Sequence, residues 1–291
     1  MAFFALTKCS LFLIHQFNSR HLTPILLQIY DNCYLVLGHY RQRYGSFQLN
    51  MDYLKIYNSL DSTNKEAHRL LAQGFVENGL TLVARHQIDG RGQFGRAWVS
   101  EPDNHLAMTI IHQPAKMNTS ELPSLGMKVS LGIAEAIKQI DPDLRPLIKW
   151  PNDIYVNGKK LSGILIENSL SGAYVQNSII GIGMNINETT FPAELPNAVS
   201  LFMLTHQVHD IISIAEIIRE HVLRMLQSPP ADWKTIYDDS IYGKEKTHSF
   251  ESANDKFNAI VQGVSMDGAL ILHVENGEVR SYLSHEVKWI L

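Results

Sequence analysis

Between residues 147 and 185 the chain strings together short apolar segments joined by turn residues, and this stretch restricts the possible folds more than any other. Ile154-Tyr155-Val156 runs into Asn157-Gly158, the strongest short-range hairpin signal, because both central positions of a type I′ turn require positive φ. Residues 161–167 read as the returning strand, and Ser171-Gly172 marks another turn before residues 174–183. Upstream, residues 53–57 alternate in polarity, while Thr81-Leu82-Val83-Ala84 and Leu106-Ala107-Met108-Thr109-Ile110-Ile111 read as buried strands. Strands that follow one another in hairpin order, with helices only between some of them, predict an α+β fold with a mixed, mainly antiparallel sheet rather than a doubly wound one.

Helices are expected where capping signals meet helical spacing. Asp61-Ser62-Thr63-Asn64 is a cluster of N-cap residues, Ala67, Leu70 and Leu71 follow at helical intervals, and Gly74 is the stop. Residues 122–140 and 211–226 form two longer helices, and a short one carries Trp233 and Tyr237 behind Pro229-Pro230. From Thr247 onward the pattern becomes short strands punctuated by Asp267-Gly268 and Asn276-Gly277, the mark of a small all-β barrel. The expected division is therefore an atypical, poorly ordered extension over residues 1–50, a principal domain over 51–245 and a small barrel over 246–291.

Composition removes whole classes of chemistry. A net charge of −4, from 25 basic and 29 acidic residues, gives no bulk attraction to nucleic acid or to an anionic membrane. The two cysteines, Cys9 and Cys33, both precede residue 51, so the rest of the chain has no thiol for a disulfide framework, a cysteine nucleophile or a structural zinc cluster. Phe3-Phe4-Ala5-Leu6 and Leu11-Phe12-Leu13-Ile14 have the character of a signal-peptide core, but Lys8 and Ser10 interrupt the run and no small-residue cleavage site follows. The run is also far short of the ~20 apolar residues that span a bilayer. Residues 1–50 read as an extension, or as upstream sequence translated ahead of a start at Met51.

Three short elements carry polar groups suited to chemistry. Gly90-Arg91-Gly92-Gln93-Phe94-Gly95-Arg96 matches the dinucleotide-binding pattern by letter, but the following Trp98-Val99-Ser100-Glu101-Pro102 is a poor helix, which the phosphate site of that fold requires. What remains is a cationic loop able to close over a triphosphate, or a flexible surface hairpin. Lys149-Trp150-Pro151-Asn152-Asp153, followed by Lys159-Lys160-Leu161-Ser162-Gly163, places an amide, a carboxylate and a lysine around one hairpin. Asp153 there is a candidate magnesium ligand and the lysine a point charge for phosphate or carboxylate. Taken singly, Asn-Asp after Pro is a turn and paired lysines are a solvated surface. Gly181-Ile182-Gly183-Met184-Asn185 puts two glycines on one strand, which either admits a flat ligand or marks a bulge.

Taken together, Ser62-Thr63-Asn64, Gln87 with Gly90-Arg91-Gly92, Gly95-Arg96 and Trp98, Lys149-Trp150-Pro151-Asn152-Asp153, Lys160-Leu161 with Gly163-Ile164-Leu165 and Glu167, and Gly181, Gly183 and Asn185 resemble the biotin protein ligases in order and spacing. The resemblance covers about residues 53–290, with Gly263-Val264, Gly268 and Glu286-Val287 similar to that family's small domain. It implies a catalytic sheet of class II synthetase type with an SH3-like barrel. It also implies a reaction in which biotin and MgATP give biotinyl-5′-AMP, from which a carrier-protein lysine takes the biotinyl group. No thiol is needed, because the acyl group rides on AMP. By position, Ser62, Thr63, Asn64 and Gln87 would hold biotin by hydrogen bonds, and Arg91, Gly92 and Gln93 would fold over biotin and the adenylate. Lys160 would neutralise carboxylate and α-phosphate, with Arg91 and Asp153 as its catalytic companions. Gly163, Gly181 and Gly183 would present backbone to biotin, and Arg96, Trp98, Asn152, Asp153 and Asn185 would serve ATP and Mg2+. Asp153 is also placed to take the proton of the incoming amine.

Two departures qualify the resemblance. Gln93 stands where many relatives have Arg, which weakens the expected grip on phosphate, and residues 1–50 are too few and wrongly patterned for the winged helix-turn-helix of bifunctional members. The expectation is a monofunctional, cytoplasmic ligase acting on a biotin carboxyl carrier protein domain, with neither nucleic acid nor membrane as partner and a homodimer left open. The alternatives are a lipoate or octanoate protein ligase of the same superfamily and a non-catalytic biotin-binding regulator.

Overall fold

The computed structural model describes residues 53–290 apart from Phe75, Arg96, Ala97, Val99, Ser100, Glu101, Glu245 and Asn254. The expectations for residues 1–50, and the ATP-binding role expected of Arg96, lie outside the described residues. Residues 51–291 form one compact unit. Its larger sheet has the order β1-β2-β3-β7-β6-β5-β4, from strands β1 (Leu54–Leu60), β2 (Thr81–Gln87), β3 (His105–His112), β4 (Leu147–Lys149), β5 (Asp153–Val156), β6 (Lys159–Ser171) and β7 (Tyr174–Asn185). Only β1 and β2 run parallel; every other neighbouring pair is antiparallel. The β5–β6 hairpin turns at Asn157 and Gly158, whose φ values of 52° and 75° are those the Asn-Gly pair predicts.

Five α-helices and two single-turn 3-10 helices (Gln93–Gly95 and Thr119–Glu121) accompany the strands among the described residues: α1 (Thr63–Gln73), α2 (Leu122–Ile140), α3 (Leu201–Thr205), α4 (Ile211–Gln227) and α5 (Trp233–Asp239). Helix α1 starts at the N-cap Ser62 and ends at Gly74, as the capping residues indicate. Side-chain alternation separates the two faces of the sheet. Leu82, Ile111 and Ile179 pack with Ala67, Leu70 and Leu71 of α1 on one face, whereas Val83, Ile110 and Ile180 join the core shared with α2 and α4 on the other. The two long helices meet closely at Gly132, where a side-chain carbon would lie 2.7 Å from Val222 Cα. Helix α3 and the irregular residues 186–200 before it are not foreseen by periodicity.

The second sheet is antiparallel throughout, with the order β11-β10-β9-β8-β12, from β8 (His248–Ser252), β9 (Lys256–Val264), β10 (Leu270–Val274), β11 (Val279–Tyr282) and β12 (Val287–Ile290). It fits an SH3-like domain. Phe250, Val261 and Leu272 belong to the same continuous core as the α2 and α4 residues, and the Trp150 indole N–H donates to Gly268 O across the junction at 3.0 Å.

Candidate active site

The site lies on the α1 face of the large sheet, and the register explains its shape. Directly opposed residues of neighbouring strands share a face, so Lys149, Asp153, Gly163, Gly183 and Ala107 form one row across β4, β5, β6, β7 and β3. The next row is Leu165, Gly181, Thr109 and Leu82. Small residues at the centre of both rows leave a depression, which opens as a cleft of about 1710 Å³. That exceeds the few hundred Å³ of an ordinary small-ligand pocket and suits a long substrate pair better than a single small molecule. The described candidates Ser62, Thr63, Asn64, Gln87, Arg91, Gly92, Gln93, Trp98, Asn152, Asp153, Lys160, Gly163, Gly181, Gly183 and Asn185 all line it.

On the β2–β3 side, the polar group comes from the first turn of α1. Ser62 caps the helix by backbone geometry alone, since its side chain makes no capping hydrogen bond and faces the cleft instead. Thr63 N–H donates to Gln87 Oε1 at 2.9 Å, which fixes the Gln87 amide with its nitrogen turned away from the helix. Asn64 is the most committed of the three: Nδ2 donates to Glu167 Oε2 at 2.7 Å, and Oδ1 lies 2.7 Å from Thr109 Oγ1.

The β5–β6 side carries the charge. Lys160 Nζ pairs with Asp153 Oδ1 at 2.7 Å, and the same ammonium lies 5.6 Å from the centre of the Trp98 ring. Two amides brace this pair from behind. Asn152 Nδ2 donates to Ile164 O at 2.8 Å, and Asn185 Nδ2 donates to Val199 O at 3.0 Å. Residues 186–200 then return to the site, where Lys160 N–H donates to Asn197 O at 2.6 Å and accepts at its carbonyl from Val199 N–H at 3.0 Å. Both amides thus spend N–H groups on the backbone.

The loop from Gly90 to Trp98 closes on itself, since Trp98 N–H donates to Gly90 O at 2.9 Å. Gly90 cannot carry a side chain there, because a Cβ would meet Trp98 O at 2.5 Å. The Trp98 indole lies flat on the small-residue row. A Cβ at Gly183 would come within 2.6 Å of the ring and one at Gly163 within 3.0 Å. Its Nε1 is buried and has no hydrogen-bond partner among the described residues. Arg91 is exposed and donates to Asp89 Oδ2 at 3.2 Å, a carboxylate that Lys65 and Arg91 together hold below the ordinary range. Expected and observed placements differ most at the glycines: Gly163 and Gly183 receive the tryptophan, and Gly181 receives Asn64, whose Oδ1 occupies the place of a side chain.

Residues that the motifs leave unassigned also contribute to the site. Thr109 is the single hydroxyl in a buried strand that is otherwise apolar between its terminal histidines, His105 and His112, which is the signal that would have singled it out; it does not itself line the cleft. Lys149 sits between the rings of Tyr155 and Trp289, at 5.4 and 5.2 Å, and links the active-site turn to the second sheet. Arg280 and Trp289 of that sheet line the far part of the cleft. No group of three or more His, Cys, Asp or Glu side chains able to hold a metal occurs among the described residues.

The site is thus a glycine-floored cleft between a hydrogen-bonding helix terminus and a lysine–carboxylate pair, on a largely antiparallel sheet. Residues 56–185 match the model of the biotin/lipoate A/B protein ligase family. Sequence and structure comparisons place the chain with the biotin protein ligases. It is 29% identical over 240 residues to the bifunctional ligase/repressor BirA of Bacillus subtilis, covering 79% of this chain and 72% of the relative. To the biotin–[acetyl-CoA-carboxylase] ligase of Paracoccus denitrificans it is 40% identical over 131 residues, 43% of this chain and 51% of the relative. In three dimensions it is similar to the biotin protein ligase from Aquifex aeolicus in complex with biotin and ATP, with a TM-score of 0.66, 26% identity, and coverage of 81% of this chain and 98% of that one.

Proposed function

We propose that this chain is a biotin protein ligase that activates biotin with ATP and passes it to a lysine of a biotin carboxyl carrier protein domain. The observation that carries the reading is the placement of the Lys160–Asp153 pair on one side of the Gly163–Gly183 floor and the Ser62, Thr63 and Gln87 group on the other. The floor is flat and apolar enough for a fused ring, its polar side presents oxygens and an amide to a urea-like group, and its charged side meets a carboxylate. Thus biotin lies with its rings over β3 and β7 and its acid toward β5 and β6.

In the first step, the biotin carboxylate attacks the α-phosphorus of MgATP, the bond to the β-phosphate breaks, and pyrophosphate leaves. Lys160 stabilises the negative charge that carboxylate and phosphate bring together, a task suited to a preorganised point charge. Magnesium arrives as part of the nucleotide. Asp153 would hold the ion by one carboxylate, with phosphate oxygens and water supplying the remaining ligands, since no cluster of three or more His, Cys, Asp or Glu side chains occurs among the described residues. In the second step, the uncharged amine of the carrier lysine attacks the acyl carbon and AMP leaves, with Asp153 as the base for the departing proton. Trp98 and Arg91, from one loop, cover the adenylate and keep water away from the mixed anhydride. We place the reaction in the cytoplasm. No described helix is long and apolar enough to cross a membrane.

The test is biotin-dependent exchange of labelled pyrophosphate into ATP. Exchange with biotin, and none with octanoate or lipoate, supports the reading; exchange driven by octanoate or lipoate instead assigns the chain to the other branch of the family.

A further inference from the structure

Buried Asn64 and Thr109, with the partly exposed Glu167, form a polar chain beneath the part of the cleft that, on the reading above, receives the biotin rings. Asn64 commits both amide hydrogens and one lone pair of its oxygen to the protein. Its Nδ2 donates to Glu167 Oε2 at 2.7 Å and reaches Leu165 O at 3.4 Å, while its Oδ1 lies 2.7 Å from Thr109 Oγ1. The side chain is buried, and the strand beneath it has surrendered a side chain to make room, since any Cβ at Gly181 would collide with Oδ1.

We propose that Asn64 is a positioning residue, and that Glu167 sets through it the direction of the hydrogen bonds at Asn64 and Thr109 and so the lone pairs that Thr63 keeps for the cleft. A carboxylate only accepts, so Asn64 must turn its NH2 to Glu167 and its oxygen to Thr109. The single proton of Thr109, which is fully buried, must then go to Asn64 Oδ1. With its proton spent on Asn64, Thr109 Oγ1 faces Thr63 Oγ1, 2.8 Å away, as an acceptor, and the one Thr63 proton is held inside the protein between Thr109 Oγ1 and Gln87 Oε1, the latter at 3.2 Å. Thr63 is left with oxygen lone pairs toward the cleft. Gln87, whose Oε1 already accepts from Thr63 N–H, is left with its Nε2 donor. The site thus presents an acceptor beside a donor, the complement of a ligand N–H beside a C=O, which is the polarity of a cyclic urea. Without the relay Thr109 could turn its proton to Thr63 Oγ1 and occupy a lone pair that the ligand needs, which would lower affinity without touching the phosphate chemistry.

The test reverses the polarity at one end. Asn64→Asp sets acceptor against acceptor at Glu167, and Glu167→Gln in the same chain restores a donor. In carrier biotinylation, Asn64→Asp should raise KM for biotin about tenfold or more, with kcat within about threefold of the parent; adding Glu167→Gln should bring KM back to within about threefold. Thr109→Val should raise KM similarly and Thr109→Ser should not, and this pair decides the matter if Asn64→Asp fails to fold. A double variant no better than the worse single, or Asn64→Asp and Thr109→Val with unchanged KM, overturns the relay. A parent enzyme that neither binds nor transfers biotin overturns the functional reading itself, and the relay's purpose with it.

Discussion

The charge placed at Lys160 makes a sharp prediction because its structural contribution is small. The side chain is about one-third exposed, and such a pair contributes on the order of 1 kcal/mol or less to stability. Lys160→Ala should therefore lower biotin-dependent pyrophosphate exchange by about two orders of magnitude or more while the thermal midpoint moves by only a few degrees. Near-normal exchange would remove Lys160 from the reaction. Glu188 is the reverse case, a carboxyl with a structural effect and no part in the chemistry. Burial pushes it from 4.5 up to about 7, and its Oε2 has no hydrogen-bond partner among the described residues. The folded chain keeps a proton that the unfolded chain releases, so stability falls as pH rises from about 4.5 to about 7 and stays lower above that. Glu188→Gln should flatten this slope, worth on the order of 2 kcal/mol, in thermal melts between pH 5 and 8. An unchanged slope would show that the carboxyl titrates normally. At this scale the sequence reveals the residue types but not their partners. Asn64 and Gln87 are both amides in the same motif set, and only their contacts show that the first is spent inside the protein while the second keeps a donor for the cleft.

At the scale of elements, the loop from Gly90 to Trp98 carries the most testable behaviour. Its tryptophan lies on Gly163 and Gly183, the floor on which a fused ring would rest, so biotin has to displace or restack the indole. Intrinsic fluorescence should change on titration with biotin, and Trp98→Phe should abolish most of the change although Trp150, Trp233 and Trp289 remain. A response that survives in Trp98→Phe would place the displaced ring elsewhere. Arg91, bonded here to Asp89, has to swing inward to meet the adenylate. Arg91→Ala should speed release of biotinyl-5′-AMP by about tenfold, measured by rapid dilution of the loaded enzyme. An unchanged release rate would contradict a role in retention. Local signals identify the elements that local chemistry determines: Ser62 and Gly74 bound α1, and Asn157-Gly158 makes the β5–β6 turn. They do not reveal the parallel pairing of β1 with β2, because a parallel partner is chosen by distant packing rather than by a turn. Residues 186–200 are equally silent, since their hold on Lys160 runs through backbone groups that any side chain could carry.

Over the whole molecule, the two sheets share one core. Phe250, Val261 and Leu272 of the second sheet join the α2 and α4 residues, and Trp150 and Lys149 tie the active-site turn to that sheet. Residues 246–291, which the strand pattern sets apart as a separate small barrel, are packed here as a buttress of the catalytic sheet. Heating should therefore unfold both sheets together, with coincident transitions by far-ultraviolet circular dichroism and by tryptophan fluorescence. Two resolved transitions would show that the second sheet folds on its own. Trp150→Phe, which leaves Gly268 O without its donor, should cost about 1 kcal/mol and keep the transition single. The arrangement agrees with the reaction proposed: residues of both sheets line a cleft of about 1710 Å³, room for biotin and nucleotide together, and carrying the acyl group on AMP would need no thiol, in keeping with cysteines that both precede residue 51. The most direct measurement is incubation of the protein with biotin, ATP, magnesium and a biotin carrier domain, followed by intact-mass analysis of the carrier. The account predicts the addition of one biotinyl group to a single lysine, dependent on ATP and lost in Lys160→Ala. An unmodified carrier, or one modified only when octanoate or lipoate replaces biotin, would contradict it.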